Sequence, residues 1–153
     1  MLVEYSYHDR VTSDFVELAK KLDGELRGIF GEVQSSYDQY NTLGDIKDVI
    51  IARVDSKSVA CASMKRFDDD AYEIKRVFVE KEHRKFGIAR GMLVRLEEIA
   101  VRRNIAFLVL ETGTKLLPAI NLYKSLSYCP IENFGPYKGM ADSLCMRKAL
   151  RRG

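Results

Sequence analysis

No tryptophan, two histidines, three prolines and three cysteines occur in this chain of 153 residues, and each scarcity excludes something. Cys61, Cys129 and Cys145 are an odd, widely spaced set without a CxxC pair, which argues against a disulfide framework and against a thiolate metal site. They read as reduced, buried small hydrophobes of a cytoplasmic protein. The histidines, His8 and His83, are both distant in sequence from any cysteine, so a nucleophilic thiol finds no base nearby. Few prolines and ten glycines exclude collagen-like or low-complexity chains. The longest strong apolar run, residues 105–110, is far short of the ~20 residues a membrane span needs. The opening MLVEYSYHDR lacks the basic start and apolar centre of a secretory signal. A soluble protein without a membrane partner is expected.

Charge of one sign is also lacking. The 25 basic and 22 acidic residues leave a net charge of +3, too mild to demand nucleic acid as a partner. The tail Arg147-Lys148-Ala149-Leu150-Arg151-Arg152 reads as a solubilising end. Three consecutive aspartates in FDDDA, residues 67–71, read as a solvated turn: a calcium loop spaces its ligands at alternate positions and includes a glycine. No metal site is expected. With 46% hydrophobic and 31% charged residues, the length suits one globular domain over 1–153.

Periodicity organises what is present. Val3, Tyr5 and Tyr7 alternate with polar residues as a half-buried strand, and Ser13 or Asp14 can cap a helix whose apolar stripe is Phe15, Leu18, Ala19, Leu22 and Leu26. Residues 28–48, containing Tyr37 and Tyr40, are weakly patterned and admit a short second helix or a plain loop. DVIIARV at 48–54 and SVACASMKRF at 58–67 read as a hairpin around Asp55-Ser56-Lys57. Ile74, Val77, Phe78 and Val79 then form a densely apolar strand. From Gly87 the period becomes helical, with Ile88, Met92, Leu96 and Ile99 inward and Arg90, Arg95, Glu97, Glu98 and Arg102 outward. A strand over 105–111, a helix with Pro118 in its first turn, a mobile flap at 135–139 and a strand over 144–150 complete the pattern. Hairpins mixed with strand–helix units predict an α+β (mixed α/β) fold.

The junction Arg84-Lys85-Phe86-Gly87-Ile88-Ala89 joins strand to helix through a basic turn, the composition of an anion site. A helix start leaves N–H groups without intrahelical partners and carries partial positive charge, Gly87 permits close approach, and Arg84, Lys85 and Arg90 add full charges. His83 beside it reads as a surface residue.

This turn resembles the acetyl-CoA motif (Gln/Arg)-x-x-Gly-x-(Gly/Ala) of the GNAT acetyltransferase superfamily at Arg84, Gly87 and Ala89. The later matches come in that family's order: a strand ending at Glu111, A-x-x-x-Y in Ala119 to Tyr123, and an apolar final strand. Leu116 stands where many members have Asn, and Ser127 replaces the usual Gly of LYxxxGY at a helix end where φ > 0 is wanted. The resemblance covers roughly residues 48–150. It implies a GNAT-like mixed sheet of about seven strands, flanked by helices and splayed between the strands ending near Val79 and Glu111, with acetyl-CoA in that cleft.

The implied function is N-acetylation of a primary amine by direct transfer from acetyl-CoA in a ternary complex, without a metal. The acceptor is read as a small or amino-acid-like amine. Alternatives are a protein lysine or N-terminus as acceptor, a catalytically idle CoA-binding or regulatory module, and an unrelated phosphate-binding domain. A homodimer is left open. Acetylation requires removing a proton from an ammonium of pKa ~10, stabilising an oxyanion and protonating a thiolate. Tyr123 matches the family's usual general acid. Glu73, on the face shared with Lys75 and Val77 by alternation, sits eleven residues before Arg84, the offset at which some lysine-acetylating members carry a base. Glu111 competes for that role or holds the acceptor's ammonium. A strand bulge, implied by the family, would let the backbone of Val77, Phe78 and Val79 meet the pantetheine and the oxyanion. Arg84, Lys85, Phe86, Gly87, Ile88, Ala89 and Arg90 would hold the pyrophosphate.

Overall fold

The computed structural model describes residues 1–31 and 43–150. Helix α1, Ser13–Phe30, is started by Thr12, whose extended backbone and side-chain oxygen, accepting from the Phe15 N–H at 3.2 Å, satisfy one orphan donor of the first turn. The cap is thus one residue before the expected Ser13 and two before Asp14. Asp14 is instead taken by Ser58 Oγ at 2.7 Å and Arg53 at 3.0 Å. The helix continues past Gly28 and closes at Gly31, whose φ of 61° a side chain would strain. Residues 32–42, with Tyr37, Tyr40 and the expected short helix, lie outside the described residues, as do Arg151 and Arg152.

The strands are β1 (Glu4–His8), β2 (Asp48–Val54), β3 (Lys57–Arg66), β4 (Ala71–Val79), β5 (Phe107–Gly113), β6 (Cys129–Ile131) and β7 (Ser143–Ala149). They form one seven-stranded mixed sheet in the order β1-β2-β3-β4-β5-β7-β6, with β4 and β5 parallel. Helices α2 (Ile88–Arg102) and α3 (Leu117–Ser125) follow β4 and β5. The expected α+β class and strand number are what the structure has. The β2–β3 turn is tighter than expected. Asp55 and Ser56 alone turn the chain, both left-handed at φ 50° and 66°, a combination that matches strand twist, and Lys57 already belongs to β3. No helix among the described residues is long and apolar enough to cross a membrane.

The chain divides into two compact units, residues 1–65 with 75–96, and residues 66–74 with 97–153. In the first, Phe15, Leu18, Ile46, Val49, Ile51, Cys61 and Phe78 form a core flanked by Val11, Leu22 and Leu43. Truncating a ring as buried as Phe15 would cost about 3–5 kcal/mol. Charges on α1 meet the β4 segment and the turn after it through Asp23–Arg76, Lys21–Glu80 and Glu25–Arg84. Tyr5 lies under the Arg95 guanidinium at 3.8 Å, and a Cβ on Gly91 would sit 2.2 Å from its hydroxyl oxygen. That close approach explains a glycine inside α2. Tyr7, expected inward, is exposed, its hydroxyl donating to Asp48 Oδ1 at 2.6 Å.

In the second unit β5 lies between the start of β4 and β7, with Leu108, Leu110 and Met146 buried. Helix α3 ends in a left-handed Ser127 at φ 75°. The Ser127 N–H reaches the Lys124 carbonyl and the Tyr128 N–H the Tyr123 carbonyl, both at 3.0 Å, a Schellman arrangement built without glycine. Three expectations change here. Glu97 does not face away: it takes the Lys148 ammonium and the Tyr128 hydroxyl. Cys129, on the short strand β6 that pairs only with β7, is exposed rather than buried. Residues 135–139 are no mobile flap, because Tyr137 is buried and Asn133 Nδ2 lies within 3.0–3.2 Å of the Tyr137, Met140 and Ser143 carbonyls. The acidic turn is as expected: Asp68 Oδ1 accepts from the Asp70 and Ala71 N–H groups.

Candidate active site

The basic turn of the first unit has the backbone of an anion cradle. Lys85 and Gly87 are both left-handed, at φ 71° and 79°, and α2 starts at Ile88 with no acidic residue in its first turn. Left-handed residues alternating with ordinary ones gather successive N–H groups toward one point, and the helix start adds its own. Lys85, Phe86, Gly87 and Arg90 are exposed, Ala89 is half-buried and Ile88 is anchored in the core. A Cβ on Gly87 would meet no protein atom within 4 Å, so the space before this glycine is open. Arg84 directs its guanidinium inward, donating from Nε to the Val79 carbonyl at 2.8 Å and pairing with Glu25 at 2.6 Å. Its visible role is to close the turn onto the end of β4. His83 is half-buried in the short 3₁₀ turn before it.

Within β4, Arg76 is left-handed at φ 55°, outside ordinary strand geometry. Glu73 and Lys75 precede this residue and Val77 follows it. The Lys75 carbonyl accepts from Ser63 Oγ at 2.6 Å, and the Arg76 carbonyl from Cys61 Sγ at 3.4 Å. Burial pushes the Cys61 thiol up to about 12, against the lowering effects of Arg76 and the Phe78 N–H, which excludes a nucleophilic thiolate. Phe78 sends its ring into the core, while Val77 and Val79 are half-buried. Any ligand contact at Phe78 falls to its backbone.

In the second unit the strand registers gather the acidic candidates. Glu73 pairs with Val109, and Glu111, two residues on, pairs with Cys145, so all four share one face of the sheet. Glu73 is buried and Glu111 half-buried. Ser143 Oγ, itself buried, donates to Glu111 Oε2 at 2.8 Å. The Cys145 thiol rises to about 11, chiefly by burial and further by the charges of Glu111 and Glu73. Tyr123 is buried on α3, its ring edge-to-face with Tyr128 at 5.8 Å. Its phenol is pushed above the ordinary tyrosine value, first by burial and then by the charge of Glu111. Such a group stays protonated at neutral pH. No cluster of three or more metal-ligating side chains occurs among the described residues.

Residues of the turn thus come together in the first unit; in the second, Glu73 and Glu111 share a sheet face and Tyr123 feels the charge of Glu111. The Ser143–Glu111 hydrogen bond was not legible, because a serine opening a strand carries no local signal. The family model described as Acetyltransferase (GNAT) family matches residues 16–128. An IAA acetyltransferase of Azospirillum brasilense is 31% identical over 138 residues, 88% of this chain and 90% of that protein. A Klebsiella pneumoniae structure assigned as an acyl-CoA N-acyltransferase superposes with a TM-score of 0.81 at 24% identity, covering 98% of this chain and 99% of that one. The PaiA N-acetyltransferase of Thermoplasma acidophilum, solved in complex with coenzyme A, gives a TM-score of 0.73 at 17% identity, covering 97% and 99%.

Proposed function

The chain belongs to the acetyltransferase (GNAT) family, and we propose that as one domain it moves the acetyl group of acetyl-CoA to a small or amino-acid-like primary amine by direct transfer in a ternary complex. The observation that carries the choice of an amine is the pair of carboxylates, Glu73 and Glu111, on one face of β4 and β5 with Tyr123 electrostatically coupled to Glu111. Cationic acceptors need a negative group to dock against and a base to take a proton before the nitrogen lone pair can attack. One carboxylate serves each purpose. As the C–N bond forms and the C–S bond breaks, the Tyr123 phenol protonates the sulfur, so that amide and free CoA leave.

Binding of the cosubstrate falls to the turn. Its pyrophosphate is held by the N–H groups of residues 85–90, with Lys85 and Arg90 supplying charge and Arg84 bracing the turn, while the backbone of Val77, Phe78 and Val79 runs along the pantetheine. Coenzyme A bound to the PaiA relative supports this ligand class. The test is Gly87→Val, whose side chain would enter the open space before the turn. Acetyl-CoA affinity should fall at least tenfold, about 1.4 kcal/mol. A folded variant with wild-type affinity would remove the turn from the cofactor site.

A further inference from the structure

An acceptor docked by its ammonium at Glu73 and Glu111 leaves the rest of its body to whatever adjoins that face of the sheet. Within the second unit the neighbour is aromatic. Phe67, in the turn before β4, meets the Phe134 ring edge-to-face at 4.9 Å, and Phe134 meets the Tyr137 ring in the same way at 5.8 Å. Tyr137 is buried and Phe134 half-buried, whereas Phe67 is 40% exposed. Covering what remains of that ring is favourable, and a further aromatic group can extend the row edge-to-face.

Separate contacts tie these rings to the carboxylates. Asn133, the residue before Phe134, donates from Nδ2 to the Ser143 carbonyl at 3.2 Å, and the Ser143 hydroxyl donates to Glu111 Oε2 at 2.8 Å. Cys145 shares the face of Glu111 and Glu73, and its thiol is raised by both of their charges and lowered by the Phe134 backbone N–H, so one sulfur atom senses all three groups. Phe67 is fastened from the other side. Its N–H donates to the Ala71 carbonyl at 3.0 Å, and Ala71 stands two residues before Glu73 on the same face of β4. Asn133 Nδ2 also holds the Tyr137 and Met140 carbonyls, so Phe134 is presented from a fixed backbone.

We propose that Phe67 and Phe134 form the acceptor's apolar subsite, so that the amine acetylated is an arylalkylamine, its ammonium at Glu73 and Glu111 and its ring against these two. This rests on the reading that an amine docks at those carboxylates. Negative charge beside exposed aromatic surface complements a cation joined by a short chain to an apolar ring, and a bare alkylamine would use only half of it.

The test is CoA thiol release with benzylamine, phenethylamine and phenylpropylamine, each against the alkylamine of the same chain length. For the best aryl member, kcat/KM should exceed that of its ringless counterpart by at least ~10-fold, chiefly through KM. In Phe67→Ala that ratio should fall toward one, with the melting temperature near wild type because the ring is already exposed. Phe67→Tyr keeps the ring and should keep the ratio. Phe134→Leu, which preserves bulk beside Tyr137, should lower it. Should Phe67→Ala fold poorly, Phe67→Leu gives the same comparison. Equal kcat/KM for aryl and ringless amines in the wild type overturns the inference, as does an aryl preference that survives in Phe67→Ala. A parallel fall for both classes in that variant, with the ratio intact, makes Phe67 structural and overturns it too. Each of these results leaves amine transfer standing. Absence of turnover with any amine in the wild type sinks the amine reading itself, and this inference with it.

Discussion

Replacing Tyr123 by phenylalanine isolates a proton donor from a packing residue. The ring is buried against Tyr128 at 5.8 Å, and phenylalanine keeps that edge-to-face contact. Only the hydroxyl goes, so stability should change by at most about 1 kcal/mol, a melting shift of about 2–4 °C for a chain this size. Chemistry should change far more. A positioned general acid contributes about 10²–10⁴-fold, so single-turnover acetyl transfer should slow by at least ~10²-fold. Rapid-quench single turnover is the assay to use, since slow product release would hide the step in kcat. The pH dependence supplies a second arm. Because burial and the charge of Glu111 raise the phenol in the folded state, Tyr123 keeps its proton when an unfolded tyrosine, near pH 10, has lost it. Fewer protons are then bound in the unfolded state, and stability falls as pH rises above 10. Tyr123→Phe should reduce that loss. Wild-type single turnover in the Phe variant would refute the acid role and leave solvent as the proton source.

Ser127→Gly should stabilise the fold. A left-handed residue with a side chain costs about 1–2 kcal/mol, glycine returns about 0.4–1 kcal/mol of that through its freer unfolded state, and a net gain of about 0.5–1 kcal/mol is expected in denaturant melts. A less stable glycine variant would mean that the Ser127 side chain makes a contribution its backbone conformation hides. Cys61 and Cys145 make stability pH-sensitive lower in the alkaline range. Their thiols lie at about 12 and about 11 when folded against 9.0 for the ordinary thiol, so their contribution is complete below pH 9 and lost as pH climbs through the folded values. The Cys61→Ala/Cys145→Ala protein should show a shallower decline between pH 9 and 10.5, and an unaltered slope would show these thiols are not what titrates.

The strand–turn–helix junction was legible because its cues are local. A glycine after a β-type run, followed by a helical period, specifies backbone conformation and helix start together, and Gly87 and Ile88 are where those cues put them. Ser127 was legible for the same reason: its place in the motif demands φ > 0, and its φ of 75° supplies it. Arg84 shows where local reading stops. Its charge drew the reading toward an anion, and its partners Val79 and Glu25, the latter 59 residues earlier in the chain, were not visible locally. The left-handed Arg76 was equally hidden, since an apolar strand pattern says nothing of one residue's φ. Cys129 looked buried by its neighbours but lies on a three-residue strand that pairs on one side only. Glu73 and Glu111 were each visible, whereas their common face needed the register that pairs Glu73 with Val109 and Glu111 with Cys145.

The central claim is transfer to an amine, and release of free CoA thiol from acetyl-CoA across a panel of primary amines, with amino acids included, tests it most directly. The account predicts thiol release that depends on the added amine, a product heavier by one acetyl group and bearing it on nitrogen, and loss of that turnover in the Glu73→Gln/Glu111→Gln protein with acetyl-CoA binding retained. Tight acetyl-CoA binding without amine-dependent thiol release anywhere in the panel, or transfer to a hydroxyl in preference to an amine, would contradict it.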